Sequence, residues 1–521
     1  MNLFFSLTAL FIAALGLAVG SFLNVVIYRL PHGISLARPR WSFCPHCGES
    51  IAGRDNLPVI SWLLLRGRCR VCAAPISGQY PIVEAMTALI FTLVYFLLIS
   101  ESARAGLTTN AWAGGDWPYV IACLTLAAAM IACSAMDITS YSLDVRVTEF
   151  AVVVGLLMHV AWRRGELHTP LALSPWGAAG AAAALAALVM LWISNRAARR
   201  AESAGHPSAA ADDDPSDDEP ANEAAVSAIE AAGRRGAGRV PVVIAILLML
   251  VLTSALVLSG VMGESRLAQS TRWWLAPLSL AIIYLVTVLA GSGHTDADAA
   301  VHEEIESEAR FARATSLSEL LWLAPAIVAG CAAYFAVAHS AYAADLWRGI
   351  VQWSPIAPFR PLAGLTYGLA GLAIAAALGW ALRLFFTFAF GREAFGTGDI
   401  YILAAAGATI GPDIAALGLL AAVGLAMVAW MLAQLSKSTT LLPFGPPLAI
   451  GFLVALWLSR PATEIADNYR QSIAIAASEQ PQLLWLLAGI LLVGMGAAIL
   501  AAKAVRRIVE PPATEDAGDH E

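Results

Sequence analysis

Charge is what this sequence is short of. Only 13% of its 521 residues are Asp, Glu, Lys or Arg, where a soluble domain carries about a quarter. That shortage, beside 59% hydrophobic residues, excludes an ordinary soluble enzyme and fits a polytopic membrane protein. No stretch forms a basic surface suited to nucleic acid. The net charge of −7 says little about partners, because much of the acid falls in two loops. The first apolar run, residues 3–27, has no basic segment ahead of it and no A-x-A site before Arg29. It reads as a retained helix rather than a cleaved signal peptide. Internal repeats are missing as well, which argues against a transporter built from inverted halves.

What is there is a series of about thirteen apolar runs of helix length, taking about 20 residues per crossing. They lie near 3–27, 82–100, 117–136, 146–162, 176–194, 239–261, 275–292, 318–340, 361–388, 400–411, 413–435, 446–458 and 483–502. The fold class expected is an all-α polytopic membrane protein of about thirteen transmembrane helices, with a small zinc-ribbon-like loop. The polar segment after the first run holds Arg29, Arg38, Arg40, Arg54, Arg66, Arg68 and Arg70 against Glu49 and Asp55. Basic loops stay in the cytoplasm, so the N-terminus is expected outside. Residues 195–238, with the acidic run Asp212 to Glu219, read as a disordered linker. A second acidic loop, 293–312, carries His294, Asp296, Asp298, His302, Glu303 and Glu304 but lacks the second histidine of a zincin motif. It reads as solvated.

Two carboxylates stand at span boundaries. Asp399 follows Gly396 and Gly398 and precedes a run of small apolar residues. An ionisable group there is costly and points to function. The glycines remove side chains beside it, so a backbone or a peptide substrate can come close. Asp137 closes the third span, in CSAMDITSYSLD at 133–144. Counting crossings puts both acids on the cytoplasmic side. Two carboxylates a few ångströms apart share one proton, and such a pair can activate a water and protonate a leaving amine. Both acids are equally readable as plain helix-end caps.

Of seven cysteines, four form Cys44-x-x-Cys47 and Cys69-x-x-Cys72 in the first cytoplasmic loop. Paired knuckles of this spacing suit a four-thiolate zinc site of the structural kind, with every position filled. Disulfides are not expected on that side of the membrane. Cys123, Cys133 and Cys331 fall in apolar spans and read as core residues.

In chain order, GSFLNVVIYRLP at 20–31, CPHC at 44–47, NLPVISW at 56–62, RGRCRVC at 66–72 and YPIVE at 80–84 are followed by Asp137, GTGD at 396–399 and PFGPPLAIG at 443–451. In this order the chain resembles the type IV prepilin peptidases, bifunctional leader peptidases and N-methyltransferases of pilus and type II secretion systems. The resemblance covers residues 1–160 and about 390–460. It implies a GxGD aspartyl protease of the bacterial inner membrane, with Asp137 and Asp399 as the catalytic pair. It implies type IV prepilin or pseudopilin substrates, cut at the cytoplasmic face after a glycine that ends a basic leader. It further implies methylation of the new N-terminus from S-adenosylmethionine, associated with the cysteine-bearing module.

The sequence departs from that pattern in places. Tyr401 stands where the family carries Lys, Gln79 where it carries Arg, and Asp144 where the turn after Asp137 has Pro. The largest departure is an insertion. The family has about one helix between the fourth span and the signature, whereas five spans occur here between 176 and 388, an excess of four. An even excess keeps Asp399 on the side of Asp137. A passive, lipid-facing role is expected for the inserted helices, since they carry few charges. The expected division is a first helix at 1–28, a tetracysteine module at 29–81 and a first part of the membrane core at 82–162. The insertion at 163–388, the second part of the core at 389–460 and a last helix and tail at 461–521 complete it.

Overall fold

A computed structural model describes residues 2–37, 41–99, 115–140, 143–162, 170–205, 239–259, 275, 278–280, 282–283, 312–355, 359–390, 395–435 and 444–458. These fall in one compact unit, Met1–Ser459. The acidic run 212–219, the acidic loop before residue 312, most of the expected span at 275–292 and the one at 483–502 lie outside the described residues.

The described secondary structure is helical apart from isolated bridges such as Phe43 to Ser50 and Arg68 to Pro75. In chain order the helices are α1 (Asn2–Arg29), α2 (Ile60–Leu64), α3 (Gln79–Ile99), α4 (Trp117–Ser140) and α5 (Val145–Ala161). Then follow α6 (Pro175–Gly205), α7 (Arg239–Ser259), α8 (Ala312–His339), α9 (Ala341–Val351), α10 (Pro361–Phe390), α11 (Thr397–Ile410) and α12 (Pro412–Leu435). A last described helix, α13, is Gly445–Leu458. Seven of them are long and apolar enough to cross a membrane, namely α1, α3, α4, α6, α8, α10 and α12, and α7, α11 and α13 hold shorter apolar stretches. The span expected at 146–162 is the 17-residue α5. Proline at the first position opens α6, α10 and α12, where its missing N–H costs nothing. Gly411 ends α11 at φ 91°, so the boundary between the short expected span at 400–411 and the next at 413–435 is a Gly-Pro break.

The bundle is knit by close backbone approach, the usual source of cohesion where lipid is as apolar as any side chain. α11 is its centre, with Ile400 and every residue from Ile402 to Ile410 buried. Gly371 of α10 and Gly407 of α11 face each other so closely that a Cβ on either would strike the other's carbonyl. On α1, a Cβ at Gly16 or Gly20 would come within 2.7 Å of the α3 backbone at Ala88 or Glu84.

The inserted helices pack around this core. α6 meets α10 where Gly180 lies against Ala370, and α8 meets α6 where Gly330 lies over Ala179. α7 buries Ile246 and Met249 and sets Val242 against Gly78 at the start of α3. α6 runs on to Gly205, so residues 195–205 are helical where a disordered linker was expected. Alanine and arginine are strong helix formers, and NRAARRAESAG extends the helix although it is polar.

Candidate active site and cysteine cluster

Asp137 sits in the last turn of α4 and Asp399 in the first turn of α11. The two helix ends meet at one end of the bundle, and Leu143, just ahead of α5, packs over the signature. A Cβ at Gly398 would lie 3.2 Å from Leu143 Cβ. The acids are close enough for the charge of Asp137 to act on Asp399, and for both to act on Cys133. Both are half-buried, so water reaches them. Like charges at such range resist joint ionisation.

Each acid is held by the backbone of a glycine. The Gly445 N–H donates to Asp137 Oδ2 at 2.8 Å. The Gly396 N–H donates to Asp399 Oδ2 at 3.3 Å. The residues ahead of these glycines, Phe444 and Phe395, meet edge to face with centroids 5.6 Å apart. The start of α13 and the start of α11 are thereby clamped together. One oxygen of each carboxylate is committed to an amide, which leaves the second for water or for the other acid. Gly396 is exposed and Gly398 lies under Leu143. Gly445 lies in the PFGPPLAIG motif, where no side chain marks it as functional. Its signal was a glycine between prolines, where only an absent side chain admits a carboxylate.

The departures have visible places. Asp144 caps α5, accepting the Arg146 N–H at 3.0 Å and pairing with the Arg146 guanidinium. That pairing holds its carboxyl below the usual carboxylate range. Tyr401 is 37% exposed, with Glu149 of α5 near enough to act on it. Cys331 is exposed on α8 rather than in a core, whereas Cys123 and Cys133 are buried.

The four module cysteines converge. The Sγ atoms of Cys44, Cys47, Cys69 and Cys72 all lie within 4.8 Å of one another, and Cys44 to Cys72 is 3.8 Å. A tetrahedron of thiolates about 2.3 Å from zinc has edges of about 3.8 Å, so the donor set fits that ion. The two knuckles repeat one turn. Cys44 receives the Gly48 N–H at its carbonyl, and Cys69 receives that of Ala73. Gly48 has φ 67° and Ala73 φ 59°. Burial pushes the Cys44 thiol up to about 12, while backbone N–H groups at Cys72 and Val71 draw Cys69 down to about 7. A metal ion at the centre would favour the thiolate form of each.

Buried Glu84 of α3 ties the module to the bundle, its Oε2 accepting the Val59 N–H at 2.6 Å. Val59 has φ 62°, a strained choice for a β-branched residue. Trp62 Nε1 donates to Ile76 O at 3.2 Å, and Gly67 lies against the same ring.

Residues 14–98 match the bacterial Peptidase A24 N-terminal domain. The chain is 39% identical over 176 residues to the type 4 prepilin-like proteins leader peptide-processing enzyme of Escherichia coli O78:H11, covering 30% of this chain and 57% of that relative. It is 56% identical over 85 residues to the prepilin leader peptidase/N-methyltransferase of Myxococcus xanthus, 16% of this chain and 25% of that one. With the protein of the same description from Klebsiella pneumoniae the identity is 51% over 89 residues, 16% and 39% of the two chains. The chain thus spans between a quarter and somewhat over half the length of these relatives. No solved structure matches it.

Proposed function

We propose, from an N-terminal region that carries the Peptidase A24 N-terminal domain, that this chain is a prepilin-type leader peptidase of the bacterial inner membrane. The observation that carries the reading is the meeting of Asp137 and Asp399 at one end of the bundle, each held by a glycine N–H. In this reading the substrate is a type IV prepilin or pseudopilin. Its apolar helix stays in lipid while its basic leader is offered at the cytoplasmic boundary. The cysteine module and the tail lie on that same side, with the N-terminus outside. The division into a module at 29–81, a two-part core at 82–162 and 389–460 and an insertion at 163–388 belongs to the same proposal.

The chemistry follows from two acids sharing one proton. The ionised member takes a proton from a water held between them, and the water oxygen bonds to the scissile carbonyl carbon. The protonated member gives its proton to the carbonyl oxygen. Collapse of that intermediate breaks the C–N bond: the proton removed from water goes to the leaving amine, and a hydroxyl proton of the intermediate returns to the acid that gave its own, so the pair again holds one proton. The products are a leader carboxylate and a new N-terminus, with no covalent enzyme species. Methyl transfer to that amine, with S-adenosylmethionine as donor, is the second activity the relatives' names join to this one. The cysteine module, with structural zinc, is the part assigned to it.

Purified full-length protein in detergent, incubated with a prepilin, tests this by the mass of the product. Leader loss is expected for the wild type. Asp137→Asn and Asp399→Asn should each lower cleavage by about 10³-fold or more. Cleavage that survives either change removes the dyad. A wild type that leaves the prepilin intact favours a transporter or an assembly scaffold.

A further inference from the structure

The inserted helix α8 is apolar along its outer face, with Leu321 75% and Val328 66% exposed. One acidic residue on it turns inward. Glu319 meets Arg383 of α10, whose Nε and Nη2 donate to the two carboxylate oxygens at 3.2 and 3.0 Å. Arg383 is only 2% exposed, and its Cζ lies 5.9 Å from the Trp380 ring centroid. Its Nη1 reaches the other way and donates to the carbonyl oxygen of Phe395 at 2.7 Å. Phe395 directly precedes Gly396, whose N–H binds Asp399.

An unpaired guanidinium at this depth is expensive, and a bidentate carboxylate both neutralises and orients it. With Glu319 engaging Nε and Nη2, Nη1 is aimed at the Phe395 carbonyl. The turn that carries GTGD is then held from outside by an element the prepilin peptidase pattern lacks.

We propose that Glu319 is a positioning residue for the signature turn: through Arg383 and the Phe395 carbonyl, the inserted helix α8 sets the placement of Asp399. The inserted segment is then part of the site's support and not a passive addition. This rests on the reading of Asp399 as a catalytic residue, and its test separates the two.

Full-length Glu319→Gln and Glu319→Asp are purified beside Asp399→Asn and the outer-face control Leu321→Ala. Prepilin cleavage is followed together with hydrogen exchange of the amides from Gly396 to Asp399. For Glu319→Gln, kcat is expected to fall about 10–100-fold with KM within about twofold. Exchange in 396–399 should quicken about tenfold while that in α3 stays unchanged. Glu319→Asp, which keeps the charge, should recover most of both, and Leu321→Ala should match the wild type. Wild-type exchange in 396–399 of Glu319→Gln overturns the inference whatever the cleavage rate. So does a rise spread evenly over α6, α8 and α10, which marks a mere helix tie. If Asp399→Asn still cleaves, the proteolytic reading falls, and the exchange data decide the positioning role alone.

Discussion

The stretches Gln79–Leu98 of α3 and Ser318–His339 of α8 have the same mean hydropathy. The protein buries 94% of the first and 6% of the second. In water such a pair could not exist, because the second would collapse onto something. In a bilayer both are at home, since lipid replaces protein at no loss of apolar contact. What differs is shape. α3 meets its neighbours through glycine on α1, with backbone against backbone. α8 lies along α6, with Gly330 over Ala179, leaves its outer face bare and turns Glu319 inward to Arg383. Apolarity therefore tells where the membrane is, and close approach tells where the protein is.

Side-chain truncation should separate the two helices by the widest margin. Leu89 of α3 is fully buried and Leu321 of α8 is 75% exposed. Leu89→Ala should cost about 2–5 kcal/mol through the cavity it leaves. Leu321→Ala should stay within about 0.5 kcal/mol. Unfolding in mixed micelles reads both. Equal losses would mean that the outer face of α8 is covered in the working protein, and the contrast drawn above would fail.

Two glycines, one in the core and one on the outer helix, should differ in the same way. A Cβ at Gly445 would lie 2.8 Å from Asp137 Oδ2, the mobile end of a side chain. Gly445→Ala should leave stability nearly intact and displace that acid, lowering cleavage about 10–100-fold. At Gly330 the Cβ would lie 3.2 Å from the Ala179 carbonyl, and an outer helix has room to shift. Gly330→Ala should cleave within about twofold of the wild type. The ratio of the two rates is the measurement, and a normal Gly445→Ala would show that its amide does not set Asp137.

The same contrast governs what the sequence made legible. Both acids and all four cysteines could be named from motif order, because those positions combine rare residue types with fixed spacing. Of about thirteen expected spans, seven are helices of crossing length among the described residues and several more are shorter apolar helices, because lipid demands length. Gly445 was visible only as a letter in a motif, since an amide donor leaves no side-chain trace. Glu319 and Arg383 were not legible at all. Each is a lone charge in an apolar run, and nothing local says that two such runs bring them together or that Phe395 lies within reach. The helical stretch 195–205 was missed because low hydropathy was read as disorder, where helix propensity decided.

Even the core has an outward face, and Tyr401 lies on it. The family resemblance puts Lys at that position, two residues from the signature acid. Residues two apart on a helix do not face each other, so a side chain at 401 points away from Asp399. Tyr401 is 37% exposed and senses Glu149 of α5 instead. Tyr401→Lys should therefore form an exposed pair with Glu149, adding about 0.5 kcal/mol or less. Cleavage should stay within about twofold of the wild type, since nothing at Asp137 or Asp399 moves. A tenfold change in either direction would place the position in the acid's own field, and α11 would then have to turn from the placement described here.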